Sequence, residues 1–304
     1  MNKKAHFAGI AFAVIFGFSF LFSKIALDHV SPVGLIAYRF LLAFIVFEIL
    51  RQLKIIKIRF ERKHWKSWLA VAFFQPILYF LFETYGLART SSGEAGMMIA
   101  LIPIFVSLLG SVILKEKPRA IQYFFILISV SGIVFIQVMK PGAQVAGETL
   151  GFVLLSLAVI SAALFNIASR KASQSMKPFE ITYFMMLVGA VSFNLIYVVQ
   201  LASSGDIGGY FSVFGHTEFI FPILYLGIIA SIGGFFMMNY ALSQLPAHVS
   251  SIYSNLSTIV AIVIGAVILK ETLSWYHLIG SVLIIGGVYG TVRTNRSTEI
   301  AKID

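Results

Sequence analysis

Well away from the ends of its long apolar stretches, the chain places two ionisable side chains, Arg39 and Glu83. An arginine at a helix centre costs roughly 2.5–3.5 kcal/mol on membrane-insertion scales, so such groups persist in lipid where something faces them. Counted from the nearer ends of their stretches the two lie six and five residues deep, about 7–9 Å at the helical rise. A direct or water-bridged ion pair is feasible. A cation and an anion at one depth could clamp an anionic and a cationic group of one ligand, or act as a gate. In the plainer reading Arg39 snorkels outward, or the pair simply pins two helices.

Other polar side chains lie inside apolar stretches. Gln75, Tyr79, Asn166, Asn239 and Tyr240 could border a pathway or be satisfied by a neighbouring helix. Ser250, Ser254, Ser257 and Thr258 recur at helical spacing, flanked by Ser251, Tyr253 and Asn255. Such a stripe lines a cavity or packs helices closely. The corresponding face of the fourth stretch carries Gly93, Gly96, Ala100 and Pro103; the hydrogen bond lost at Pro103 is expected to kink that helix or leave a carbonyl unpaired. Phe16, Phe18, Phe20 and Phe22 spread around their helix, facing lipid or neighbours. Gly286 and Gly290 are expected to pack the tenth helix against the fifth.

Several chemistries are excluded. The chain has no cysteine, which removes disulfides, thiolate metal sites and thiol nucleophiles. Its six histidines stand at stretch ends or in loops without metal-site spacing, so neither metal nor cofactor is expected. A P-loop pattern is absent, and nothing deep in lipid resembles paired catalytic carboxylates, so an intramembrane enzyme is disfavoured.

The elements that must position these residues are apolar helices. The sequence is 59% hydrophobic and 12% charged, with mean hydropathy +0.91, far from a soluble domain. Ten stretches of spanning length fall near 5–24, 33–50, 67–88, 94–114, 120–139, 149–169, 179–201, 219–242, 247–269 and 275–292. The net charge of +10 reflects topology, and no nucleic-acid partner is expected. With the N-terminus cytoplasmic, inner segments hold 18 of the 23 basic residues, against four outside (Lys24, Arg89, Lys140, Lys270). Both termini are therefore expected in the cytoplasm, in the cell membrane. The first stretch follows Met-Asn-Lys-Lys but has bulky residues where a cleavage site would stand, and reads as a retained helix.

The chain also repeats itself. Gly110-Ser-Val-Ile-Leu-Lys-Glu-Lys117 returns as Gly265-Ala-Val-Ile-Leu-Lys-Glu-Thr272, at an offset of 155 that also joins Tyr85 to Tyr240 and Gly132 to Gly287. Upstream the offset is 146, joining Ser23-Lys24 to Ser169-Arg170 and Pro32 to Pro178; the difference is an insertion, read as the polar loop Ser203 to Glu218. Five helices per copy is odd, so the copies, residues 1–145 and 146–304, enter the membrane with opposite orientation. Inverted repeats are a transporter signature, because two similar halves give two conformations of similar energy around a central site. Lys115-Glu116 would cap the fourth helix at one face, Lys270-Glu271 the ninth at the other. At the two offsets Arg39 maps to Met185 and Glu83 to Met238, so the architecture does not itself require charge there.

Over residues 5–293 the chain resembles an EamA-type permease of the drug/metabolite transporter superfamily. The resemblance rests on Phe16-Gly17 with Lys24, on Ser31-Pro32 followed by Arg39-Phe40, and on Tyr85 through Glu116 with Pro103 between them. Thr258 and Phe125 depart from it, where proline and glycine are usual, whereas Gly280 is kept. It implies ten helices and transport of small metabolites, often outward. The expectation is an all-α polytopic membrane protein of two inverted five-helix repeats. It would be a secondary transporter of small polar metabolites, with amino acids or related zwitterions as the class suggested by Arg39 and Glu83. An organic-anion or nucleotide-sugar exchanger is the alternative within transport, and a channel the alternative outside it. Glu83 is the first candidate for any proton coupling.

Overall fold

The computed structural model describes residues 2–58, 62–87, 89, 98–99, 101–139, 149–268 and 273–300, except the side chains of residues 20, 24, 62, 87, 137, 265–266 and 295–300. Among the described residues every regular element is helical. In chain order these are α1 (Lys3–Leu27), α2 (Pro32–Gln52), α3 (Trp65–Gly86), α4 (Ile102–Ile113) and α5 (Ala120–Met139). There follow α6 (Thr149–Ala172), α7 (Pro178–Ser203), α8 (Thr217–Gln244), α9 in two pieces (Ala247–Ser251 and Ser254–Ile268), and α10 (Trp275–Ile300). Eight of them are long and apolar enough to cross a bilayer, and α4 and α5 give two shorter apolar helices. The protein is a polytopic membrane protein. Its outward surface carries exposed side chains such as Val112 and Val267, which suit lipid.

Local chemistry sets the helix starts. Ser31 accepts from the Gly34 N–H, and Pro32 occupies the first turn of α2, where no N–H is needed. At α7 Pro178 does the same, and the Glu180 carboxylate reaches back to the Lys177 N–H at 2.9 Å. Each is a clean entry into a long apolar run.

Packing crosses between the halves of the chain. α1 lies against α8 and α9, α6 lies against α3 and α4, α2 pairs with α7, and α5 pairs with α10. The α5–α10 pair is tight enough that backbones touch. A Cβ on Gly132 would stand 2.7 Å from the Gly280 carbonyl oxygen, and one on Gly287 2.5 Å from the Phe125 carbonyl oxygen. Gly290 leaves room for the Phe125 ring, so the large residue on α5 is matched by a small one on α10. Gly286, expected at this interface, instead meets open space; the contact ridge is Gly280, Gly287 and Gly290. The residues Gly93, Gly96, Ala100, Lys140, Lys270 and Glu271, singled out from sequence, lie outside the described residues, as does the Lys24 side chain.

Two local expectations need correction. Pro103 does not kink a helix interior: Leu101 is the N-cap of α4, so the proline sits in the first turn, where a missing N–H costs nothing. The break lies instead in α3. Pro76 cannot donate and crowds the preceding turn, and Gln75 before it takes an extended conformation, φ −149° and ψ 120°. The stretch between α7 and α8 is not simply polar either, since Ile207–Gly215 forms a 3-10 helix. Tyr38 donates to the Tyr210 carbonyl, Tyr210 donates to Asn194 at 2.6 Å, and Phe214 packs edge-on against Tyr38. Burial and the neighbouring Tyr197 raise the Tyr210 hydroxyl above its ordinary range, which keeps it a donor.

Adding a methyl at Gly287 is expected to destabilise the protein by about 1–3 kcal/mol, because the opposing atoms are backbone and cannot step aside. Gly286→Ala is expected to be neutral. Thermal denaturation of the purified variants, followed by loss of the monodisperse peak, separates the two outcomes.

Candidate functional site

The break in α3 and a second irregular stretch in α8 stand to either side of a buried cluster of polar and charged side chains. In α8 the turns over Tyr225–Gly234 open to π-helix, three residues after Pro222. A π-turn widens the helix and is frequently found at functional sites. Here it lets the Ser231 hydroxyl donate to the Leu226 carbonyl five residues back, at 2.8 Å.

Ser231 in turn accepts from Arg39. The guanidinium Nε donates to Ser231 Oγ at 2.7 Å, and its Cζ lies 5.5 Å from the centre of the Phe80 ring, a cation–π distance. Arg39 is 93% buried, with 7% of its surface exposed. Tyr79, Glu83 and Tyr225 lie within electrostatic range of it. The Glu83 carboxylate is thus near Arg39, but among the described residues the two make no direct ion pair. The fork of Nη nitrogens has no protein acceptor there, while the Nε edge is fixed by Ser231. Such a fork matches a carboxylate bidentately. Tyr225 closes the site toward α1, donating to the Ile15 carbonyl at 3.0 Å and packing 4.4 Å from Phe22.

Of the residues singled out from sequence, Arg39, Tyr79 and Glu83 therefore come together. Gln75 stands at the α3 break, buried. The others lie elsewhere. Asn239 is committed to helix joints: it accepts from Ser169 at 2.7 Å and donates to Thr182 at 3.0 Å. Tyr240 packs on Phe236, and Tyr253 bonds the His6 ring at 2.6 Å, joining α1 to α9. Pro103 has its carbonyl taken by Ser107.

The stripe on α9 is not continuous, because the chain turns at Ile252–Tyr253 between the two helical pieces. Ser254 and Ser257 donate to carbonyls three residues back, which uses their hydroxyls locally. Ser250 Oγ, the Asn166 side-chain oxygen and His248 Nε2 are buried without partners among the described residues.

Ser231, Phe80 and Tyr225 were not found from sequence. A serine and two aromatic residues in apolar stretches are unremarkable by type. Ser231 nevertheless aligns with Pro76 at the offset of 155, and Pro76 itself was visible as a proline in mid-stretch. Truncating Ser231 to alanine would leave the buried guanidinium without its hydrogen bond. The loss expected is about 1.5–3 kcal/mol of stability, the range for a bond to a charged group. Chemical denaturation of the purified protein measures it.

Comparisons with known proteins agree with this architecture. The profile of the EamA-like transporter family matches the chain twice, over residues 3–138 and 149–293. The chain is 40% identical over 288 residues to the uncharacterized transporter YcxC of Bacillus subtilis, covering 94% of this chain and 92% of that protein. It is 26% identical over 309 residues to a probable amino-acid metabolite efflux pump of Salmonella typhimurium, covering 100% of this chain and 99% of the relative. One solved crystal structure shares the fold with a TM-score of 0.81 at 18% identity, covering 98% of this chain and all of that one. A polytopic helical bundle matched twice by one family profile and related at 40% identity to a transporter belongs to the EamA-like transporter family, within the drug/metabolite transporter superfamily.

Proposed function

We propose that the protein is a secondary transporter that moves a small zwitterionic metabolite, of the amino-acid class, outward across the cell membrane. Ten helices span the membrane as two inverted five-helix repeats, residues 1–145 and 146–304, with both termini in the cytoplasm. The cycle is alternating access.

The observation that carries this reading is the site around Arg39. A buried guanidinium with a free fork lies near a carboxylate, between α3 broken at Gln75 and α8 opened to π-helix. Arg39 would take the substrate carboxylate and Glu83 its ammonium group. Interrupted helices at a binding site expose backbone dipoles that replace the substrate's hydration.

Internal symmetry supports the repeat. At the offset of 155, Phe125 corresponds to Gly280 and Gly132 to Gly287, so the two backbone approaches between α5 and α10 exchange into one another. α1 and α6, corresponding helices, each pack on the third and fourth helices of the opposite half. The α3 break at Phe73–Leu78 corresponds to 228–233, inside the π-helical part of α8. The two family matches, and the efflux pumps of amino-acid metabolites among the relatives, point the same way.

The test is counterflow. Proteoliposomes loaded with pooled unlabelled amino acids are expected to take up labelled members of the same pool with saturation. Arg39→Ala and Glu83→Ala, at equal incorporation, are expected to reduce uptake to background. Wild-type uptake in both variants would remove the charged pair from the pathway. Silence with amino acids but saturable entry of organic anions would favour the exchanger reading, and non-saturating flux a channel.

A further inference from the structure

A second charged cluster sits at the end of the bundle that carries the N-terminus, on residues not used by the site above. Arg170 ends α6 and Glu116 follows α4. Arg170 Nε donates to Glu116 Oε1 at 2.9 Å, and Nη1 donates to the carbonyls of Ser243 at 3.0 Å and Leu242 at 3.1 Å, at the end of α8. The other Glu116 oxygen accepts from the Ala247 N–H at 2.8 Å, at the start of α9. One ion pair thus ties the ends of α4, α6 and α8 to the beginning of α9. Lys115, left-handed at φ 58°, and the Glu116 N–H, which donates to the Gly110 carbonyl at 3.3 Å, close the end of α4 as expected, while the Glu116 carboxylate also caps the start of α9.

Directly inward of this clasp the bundle holds polar atoms with no hydrogen-bond partner among the described residues. Ser250 Oγ lies one turn into α9, and His248 Nε2 is beside it in sequence, within electrostatic range of Glu116. The Asn166 side-chain oxygen is one turn before Arg170 on α6. Ser250 is 1% exposed and Asn166 2%. Buried polar groups without partners are few in folded proteins and call for an explanation. In lipid they are more costly still, since no water is near. A conformation in which water reached them would relieve that cost. Glu116 and Arg170 lie about one turn farther toward the end of the bundle than these atoms. α1 closes over the same end, through Asn2 to Gln244 at 2.8 Å and His6 to Tyr253 at 2.6 Å.

We propose that the Glu116–Arg170 pair, with the Leu242, Ser243 and Ala247 backbone it holds, is the gate at the N-terminal end of the pathway, whose opening admits water to Ser250, His248 and Asn166. The proposal rests on the alternating-access reading above. The repeat offsets carry the two charge types to Lys24 and Glu271 in the sequence, so a base and a glutamate recur at the corresponding positions.

The chain has no cysteine, so a single introduced thiol reports its own accessibility. Ser250→Cys, reconstituted in lipid nanodiscs with both faces open to a soluble maleimide, is expected to label slowly. Combined with Glu116→Gln or Arg170→Met, it is expected to label roughly tenfold faster, the change that loss of one charge-assisted bond allows. Ser204→Cys, exposed between α7 and α8, should label quickly in every background, and Ala43→Cys, fully buried in α2, slowly in every background. Unchanged labelling at Ser250→Cys in both gate variants would overturn the proposal. So would a parallel rise at Ala43→Cys, which would make the pair a staple of the whole fold. If Arg170→Met does not yield folded protein, Glu116→Gln still decides, because its amide oxygen can accept from the Ala247 N–H. No substrate is needed, so failure of the counterflow experiment and failure of this one are read separately.

Discussion

Hydrocarbon offers no hydrogen-bond partner, and the fold is organised around that fact. Helices satisfy their own backbones, which is why apolar stretches become helices, but a helix that breaks must be covered by protein. Both irregular stretches obey this. Gln75 and Pro76 are buried, and Gly189 of α7 lies close against the Pro76 ring. The π-helical part of α8 is met by α1 and α2. The breaks are therefore inside the bundle, where their loosened backbone can face a ligand and not lipid.

The same constraint sorts the polar side chains into two kinds. Asn239 spends its amide on Ser169 and Thr182, and Asn194 spends its own on Ala37 and Tyr210, each joining helices at a buried contact. These are joints. Arg39 is different, because among the described residues its one hydrogen bond, to Ser231, fixes an orientation and leaves the Nη fork without an acceptor. On the proposed reading that open edge is where the substrate carboxylate is held.

The helices and their entries were legible in the sequence because they depend on local rules: apolar runs of spanning length, Ser31-Pro32, Lys177-Pro178. So was the similar depth of Arg39 and Glu83, since depth can be counted along two helices, whereas the approach of Tyr79 was not. What could not be read depended on azimuth or on distant partners. Pro103 and Pro76 look alike in sequence, and only the position of the helix start decides which one breaks a helix. Gly286 and Gly287 differ by one residue but by about 100° around α10, enough to turn one to open space and the other to the Phe125 backbone. Arg170 and Glu116 are 54 residues apart and meet only because α6 and α4 pack together.

The 3-10 helix over Ile207–Gly215 lies where the two repeat offsets differ by nine residues. It is fastened to α2 through Tyr38, the residue next to Arg39, and to α7 through Asn194. If the chain works by the alternating access proposed above, parting α2 from α7 at that end would first have to unfasten this segment, and a movement confined to the opposite end would not. The empty carrier would then have a preferred resting side.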